Sequence, residues 1–157
     1  MSYFLTLILV LFVYMSLWFV VSLVKKRNDV VDVAWGLGFI LMSWTSIYLA
    51  GDLGLRGLIV SVLVSIWGIR LAWHIHNRNK GKAEDYRYMA WRNEWGKWFY
   101  IRSYLQVYIL QGVLLFLIVF PVLLINKNGG AELGLLDILG VVVWLTGFYF
   151  ELVGDAQ

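Results

Sequence analysis

Residues 3 to 24 contain no charged side chain. A bilayer offers the backbone no water to bond with, so a spanning segment must be helical and needs about 20 apolar residues. Four further stretches meet that requirement: about Val30 to Ala50, Gly57 to Ile75, Ser103 to Ile125 and Gly134 to Val153. The spacing predicts an all-α, polytopic transmembrane bundle of five spans, forming one membrane domain over residues 1–157. Only 15% of the residues are charged and 61% are hydrophobic, against about 25% charged in a soluble domain.

The cations sit in two places. Lys25, Lys26 and Arg27 close the first span, and eight more lie between Arg70 and Arg102, while only Arg56 and Lys127 fall on the other side. Positive residues stay on the cytoplasmic side during insertion, which predicts an outside N-terminus and a cytoplasmic C-terminus. The same distribution assigns the net charge of +3 to topology and the bilayer as partner, with no role in nucleic-acid binding. The first span is expected to be retained and not cleaved as a signal, because its positive cluster follows the apolar run. With no cysteine, disulfides, thiolate nucleophiles and cysteine-based zinc sites are excluded.

The strip from Arg70 to Arg102 carries both histidines and Trp73, Trp91, Trp95 and Trp98. Tyr88, Trp91, Trp95, Trp98 and Arg102 recur three and four apart, one face of a helix, with Arg87, Arg92, Glu94 and Lys97 largely off it. Such a helix is expected to lie in the cytoplasmic interface, aromatic side towards lipid. The run from Asn77 to Lys82 places several donors around Gly81, a composition suited to phosphate. Ionisable groups within spans are costly and face a cavity or a partner. Arg70 and His74, one turn apart with Asn77 on the same face, stand near the end of the third span; Glu151 and Asp155, also one turn apart, end the fifth. Asp32 begins the second, where it also suits a capping role. Asp32, Arg70, His74 and Asp155 are therefore expected to converge on one cytoplasm-facing cavity, although paired helix ends would produce the same pattern. His74 and His76 do not share a helical face, so no metal site is expected of them. Gln106 and Gln111 read as interhelical hydrogen bonds.

Several motifs carry a family resemblance: Asp32-Val33-Ala34-Trp35-Gly36, Trp67-Gly68-Ile69-Arg70-Leu71, the run His74 to Lys82 with Glu84-Asp85-Tyr86-Arg87-Tyr88, and Gly154-Asp155. Together they resemble the bacterial membrane family called domain of unknown function 1295, of the steroid 5α-reductase superfamily. The resemblance implies an inner-membrane reductase of lipid metabolism, passing hydride from NADPH to an activated carbon–carbon double bond of a lipid-like substrate. It implies a cofactor site including Arg70, Asn79, Lys80, Gly81 and Asp155, with Asp32 and His74 as candidate catalytic groups. By the same resemblance, the superfamily continues into a C-terminal segment with an Arg-His-Pro-Asn-Tyr type motif and a following Glu that completes the cofactor site. The 157 residues are therefore expected to be the N-terminal part of such a reductase, without that segment. Two rival readings are an isoprenylcysteine-type membrane methyltransferase and a non-catalytic membrane scaffold.

Overall fold

A computed structural model describes residues 2–129 and 132–155, which are helical apart from short connections. Helices α1 (Tyr3–Lys25), α2 (Val30–Ala50) and α3 (Leu55–Asn79) run up and down; α4 (Tyr86–Trp95) and α5 (Phe99–Arg102) follow the polar strip. A π-helical stretch, Ser103–Ile109, leads into α6 (Leu110–Lys127), and α7 (Leu135–Asp155) comes last. Among the described residues, five helical segments are long and apolar enough to cross a membrane, the continuous path Tyr86–Lys127 counting as one.

Helices α1, α2 and α6 enclose the core, in which Leu7, Met15, Met42, Leu115 and Leu123 are buried. The outer surface is apolar too: Phe12, Leu17, Ile69 and Leu117 are exposed, as suits contact with hydrocarbon. Glycines bring α2 and α3 together. A Cβ on Gly36 would collide with the Gly68 carbonyl oxygen, and one on Gly68 with that of Gly36, the close backbone approach that small residues permit between membrane helices.

Two boundaries differ from the sequence expectation. The third helix continues to Asn79, so the polar residues after Ile75 extend its face instead of forming a loop. Pro121 lies inside α6, which runs on to Lys127. The missing N–H removes one backbone bond, but membrane helices tolerate this where neighbouring groups re-satisfy the carbonyl. Of the two glutamines, Gln111 accepts from Trp35 Nε1 at 2.5 Å and joins α6 to α2; Gln106 is exposed and makes no side-chain hydrogen bond among the described residues.

The aromatic face of α4 is divided. Tyr88 and Trp95 are buried in the protein, and Trp91 stacks on Trp95 with ring centroids 5.1 Å apart. Gly96, at φ +47°, breaks the helix just after them, and Trp98 beyond the break is 54% exposed. The three-and-four spacing thus holds through Trp95 but does not carry Trp98 onto the same face.

At the end away from the basic strip, Asn126 is buried and its Nδ2 donates to Ser43 O at 3.1 Å and Ser46 Oγ at 2.7 Å. Ser43 Oγ donates in turn to Ser61 Oγ at 2.7 Å. Helices α2, α3 and α6 thereby share one buried polar node, whose alternative in hydrocarbon would be unsatisfied groups.

Candidate functional site

Helical spacing on α3 creates the first cluster. Arg70, His74, Asn77 and Arg78 project on one face at the basic end, and α7 brings Glu151 and Asp155 to it. The Arg70 guanidinium donates to Glu151 Oε1 and to Asp155 Oδ2, and also to the Glu151 carbonyl at 3.2 Å. Trp67 Nε1 donates to the other Glu151 oxygen at 2.9 Å. His74 Nδ1 lies 3.7 Å from Asp155 Oδ2, an ion pair only when the ring is protonated. Arg70, Trp73, His74, Asn77, Arg78, Leu152 and Asp155 line an open cleft of about 420 Å3. Arg70 is only 15% exposed, so its charge needs both carboxylates.

Asp32 belongs to a different cluster. The Tyr88 hydroxyl of α4 donates to Asp32 Oδ1 at 3.2 Å, beside the Trp35–Gln111 pair. No hydrogen bond or ion pair joins Asp32 to Arg70 or His74 among the described residues. The residues expected to share one cavity thus divide: Arg70, His74 and Asp155 lie together, and Asp32 lies apart. Asn79 and Lys80 face the other side of α3, lining a pocket of about 130 Å3 with Lys25, Arg27, Asp29 and His76. Gly81 follows at φ +74°, a left-handed conformation that glycine adopts without steric cost.

A third set of contacts carries no signal in the sequence beyond its charges. Lys26 takes a left-handed φ of 55°, turning the chain sharply between α1 and α2. Arg27 then grips Asp29 with two prongs, Nε to Oδ1 at 2.6 Å and Nη2 to Oδ2 at 2.5 Å. The turn docks on the loop after α3: Arg27 donates to the Lys82 carbonyl at 3.2 Å, and the Asn28 N–H to Glu84 Oε1 at 2.6 Å. Glu84 also accepts from Arg92 at 3.2 Å. From beneath, the π-helical stretch supplies Ser103, whose Oγ accepts from Asn28 Nδ2 at 3.0 Å, and Tyr108, whose hydroxyl donates to Asn28 O at 3.3 Å. A π-helical register turns side chains away from the α-helical stripe and is frequent at functional sites. Here it aims two polar groups at one turn.

Five membrane-length helices with a polar, cation-rich end define an integral membrane protein. More particularly, the chain belongs to the family described as Protein of unknown function (DUF1295), whose model matches residues 18–157. An uncharacterized protein of Schizosaccharomyces pombe is 28% identical over 107 residues, 65% of this chain and 31% of the relative. The chain thus spans about a third of the length of that curated relative. No solved structure matches.

Proposed function

We propose that this chain is the membrane-embedded part of an NADPH-dependent reductase of the steroid 5α-reductase type, acting on an activated carbon–carbon double bond of a lipid-like substrate. In this reading the basic end faces the cytoplasm of a bacterial inner membrane and the N-terminus lies outside, as the distribution of cations favours.

The observation that carries the reading is the cleft between α3 and α7. One wall presents Arg70, His74, Asn77 and Arg78, and the other presents Asp155. Guanidinium groups suit phosphate oxygens, and carboxylates accept from ribose hydroxyls, so the donor set fits a nicotinamide dinucleotide. Arg70 would exchange a carboxylate partner for phosphate, with Arg78 as the second cation. Asn79, Lys80 and Gly81 would reach such a ligand only from the opposite side of α3. When bound, the cofactor supplies the hydride. Reduction also needs a proton on the second alkene carbon. The candidate proton donors are His74, which lines the cleft, and Asp32, which shares a hydrogen bond with Tyr88 in the separate cluster.

The full chain in detergent, titrated with NADPH, tests this through energy transfer from its tryptophans to the reduced nicotinamide. Saturable transfer is expected, weakened about tenfold by Arg78→Ala, in line with loss of one charge-assisted hydrogen bond. Arg78 has no hydrogen bond or ion pair among the described residues, so the variant keeps the fold. Absence of saturable transfer, or an unchanged affinity in the variant, defeats the proposal.

A further inference from the structure

The pocket of about 130 Å3 behind α3 gathers side chains from three helix ends. Lys25 and Arg27 come from the end of α1 and the turn after it, His76, Asn79 and Lys80 from the end of α3, and Val33 from the first turns of α2. Its charges do not balance. The one carboxylate, Asp29, is 1% exposed and already held by both prongs of Arg27. The side chains of Lys25, His76, Asn79 and Lys80 have no hydrogen bond or ion pair among the described residues. Two ammonium groups, an imidazole and a carboxamide thus surround one opening with their donors free. Like charges gathered in this way repel, and an anion between them would offset that repulsion.

We propose that this pocket is a phosphate site, taking the headgroup phosphate of an anionic lipid or a free phosphate. The donor set selects that chemistry. It offers ammonium and amide N–H groups and no free carboxylate, whereas the Arg70 cleft presents Asp155 as an acceptor. Position favours the lipid as the source. Lys25 and Asn79 end two apolar spans, so the pocket lies at the depth of the headgroups, where basic pockets between membrane helices take anionic lipids. Val33 leads from it towards hydrocarbon: Leu37, one turn deeper on the same face of α2, is exposed. A lipid seated by its phosphate would lay an acyl chain along that face. The site is separate from the reductase cleft. Asn79 and Arg70 are nine positions apart on α3, about half a turn out of phase at 3.6 residues per turn.

The full chain in neutral detergent is titrated with short-chain phosphatidylglycerol and, separately, with phosphatidylcholine of the same chains, and native mass spectrometry counts the bound lipid. In a second arm inorganic phosphate is the titrant, read by its phosphorus NMR line width. One phosphatidylglycerol is expected to bind, in preference to phosphatidylcholine. Lys25→Gln and Lys80→Gln should each weaken it about tenfold, the size of one charge-assisted hydrogen bond. Both lysines are exposed, so these variants keep the fold, and Lys80→Arg should retain binding. Lys97→Gln, which removes an exposed cation outside the pocket, should change nothing. Phosphate broadening with the same variant pattern and no headgroup preference keeps the site and assigns it to free phosphate. Equal binding by the wild type and the Lys25→Gln, Lys80→Gln double variant, in both arms, would overturn the proposal. So would an equal loss in Lys97→Gln, the mark of a diffuse surface potential, or displacement of the lipid by NADPH, which would merge the pocket with the cofactor site.

Discussion

Arg27 and Asp29 stand two residues apart in the turn between α1 and α2 and form a two-pronged ion pair, with Asp29 1% exposed. Attraction by this carboxylate holds the Arg27 guanidinium even more firmly protonated than usual. Removing one partner of a buried pair strands the other charge, at a cost of about 3–5 kcal/mol. Asp29→Ala is therefore expected to lower stability by about 3 kcal/mol, the low end because Arg27 retains some solvent. It should also release the loop at Lys82, which Arg27 anchors. Unfolding by denaturant in mixed micelles, with proteolysis at Lys82, measures both. Replacing both residues by leucine should cost less than Asp29→Ala alone.

The contact of α2 with α3 makes a second prediction. A methyl group at Gly36 or Gly68 meets backbone atoms of the facing helix, which cannot swing aside as a side chain can. Gly36→Ala and Gly68→Ala should each destabilise by about 1–3 kcal/mol, the usual penalty for overpacking. Gly147→Ala, with open space around its Cβ, should be neutral or stabilising by up to about 1 kcal/mol through helix propensity. Equal effects at all three sites would mean that α2 and α3 are not in backbone contact.

Much of this fold could be read directly. An uncharged run such as residues 3 to 24 has one stable arrangement in hydrocarbon, and an arginine such as Arg70 within a span must find acidic partners, here supplied by Glu151 and Asp155. What escaped the sequence depends on the path of the polar strip. Asp32 meets Tyr88 because α4 folds back under the bundle, and Gly96 breaks the aromatic stripe before Trp98; neither leaves a periodic trace. The roles of Asn28 and Glu84 depend on the left-handed turn at Lys26 and on the π-helical register at Ser103 and Tyr108. Those are properties of backbone geometry more than of residue type.

Asp85 caps α4, its side chain accepting from the Arg87 N–H at 3.0 Å. The Arg87 guanidinium beside it holds its carboxyl below the usual carboxylate range. A depressed value in the folded state contributes stability above the unfolded pKa, near 3.9, and that contribution is lost as pH falls through the lower folded value. Asp85→Ala should cost about 1 kcal/mol at neutral pH, as for other lost N-caps. The difference from wild type should shrink as pH falls below about 4. Denaturant unfolding at a series of pH values, followed by near-ultraviolet circular dichroism of the Trp91–Trp95 stack, reads it. A difference that grows on acidification would contradict the assigned charge state.

The orientation in the membrane yields the last prediction, and the absence of native cysteine makes it clean to measure. Eleven of thirteen cations lie in residues 25–27 and 70–102, which the contacts of Arg27 with Lys82 and of Arg70 with Asp155 place at one end of the bundle. Retaining that end in the cytoplasm follows from the positive-inside rule. Lys82 and Asn128 are both exposed, at opposite ends, so single cysteines at these positions report the two sides. Gly81 is less suitable, because its φ of +74° would strain any other residue. In intact cells an impermeant maleimide should label Asn128→Cys and leave Lys82→Cys unmodified until the membrane is permeabilised. Labelling of Lys82→Cys from outside would invert the bundle, and the nicotinamide reading would then fail because its cleft would face away from the cytoplasmic pool of cofactor.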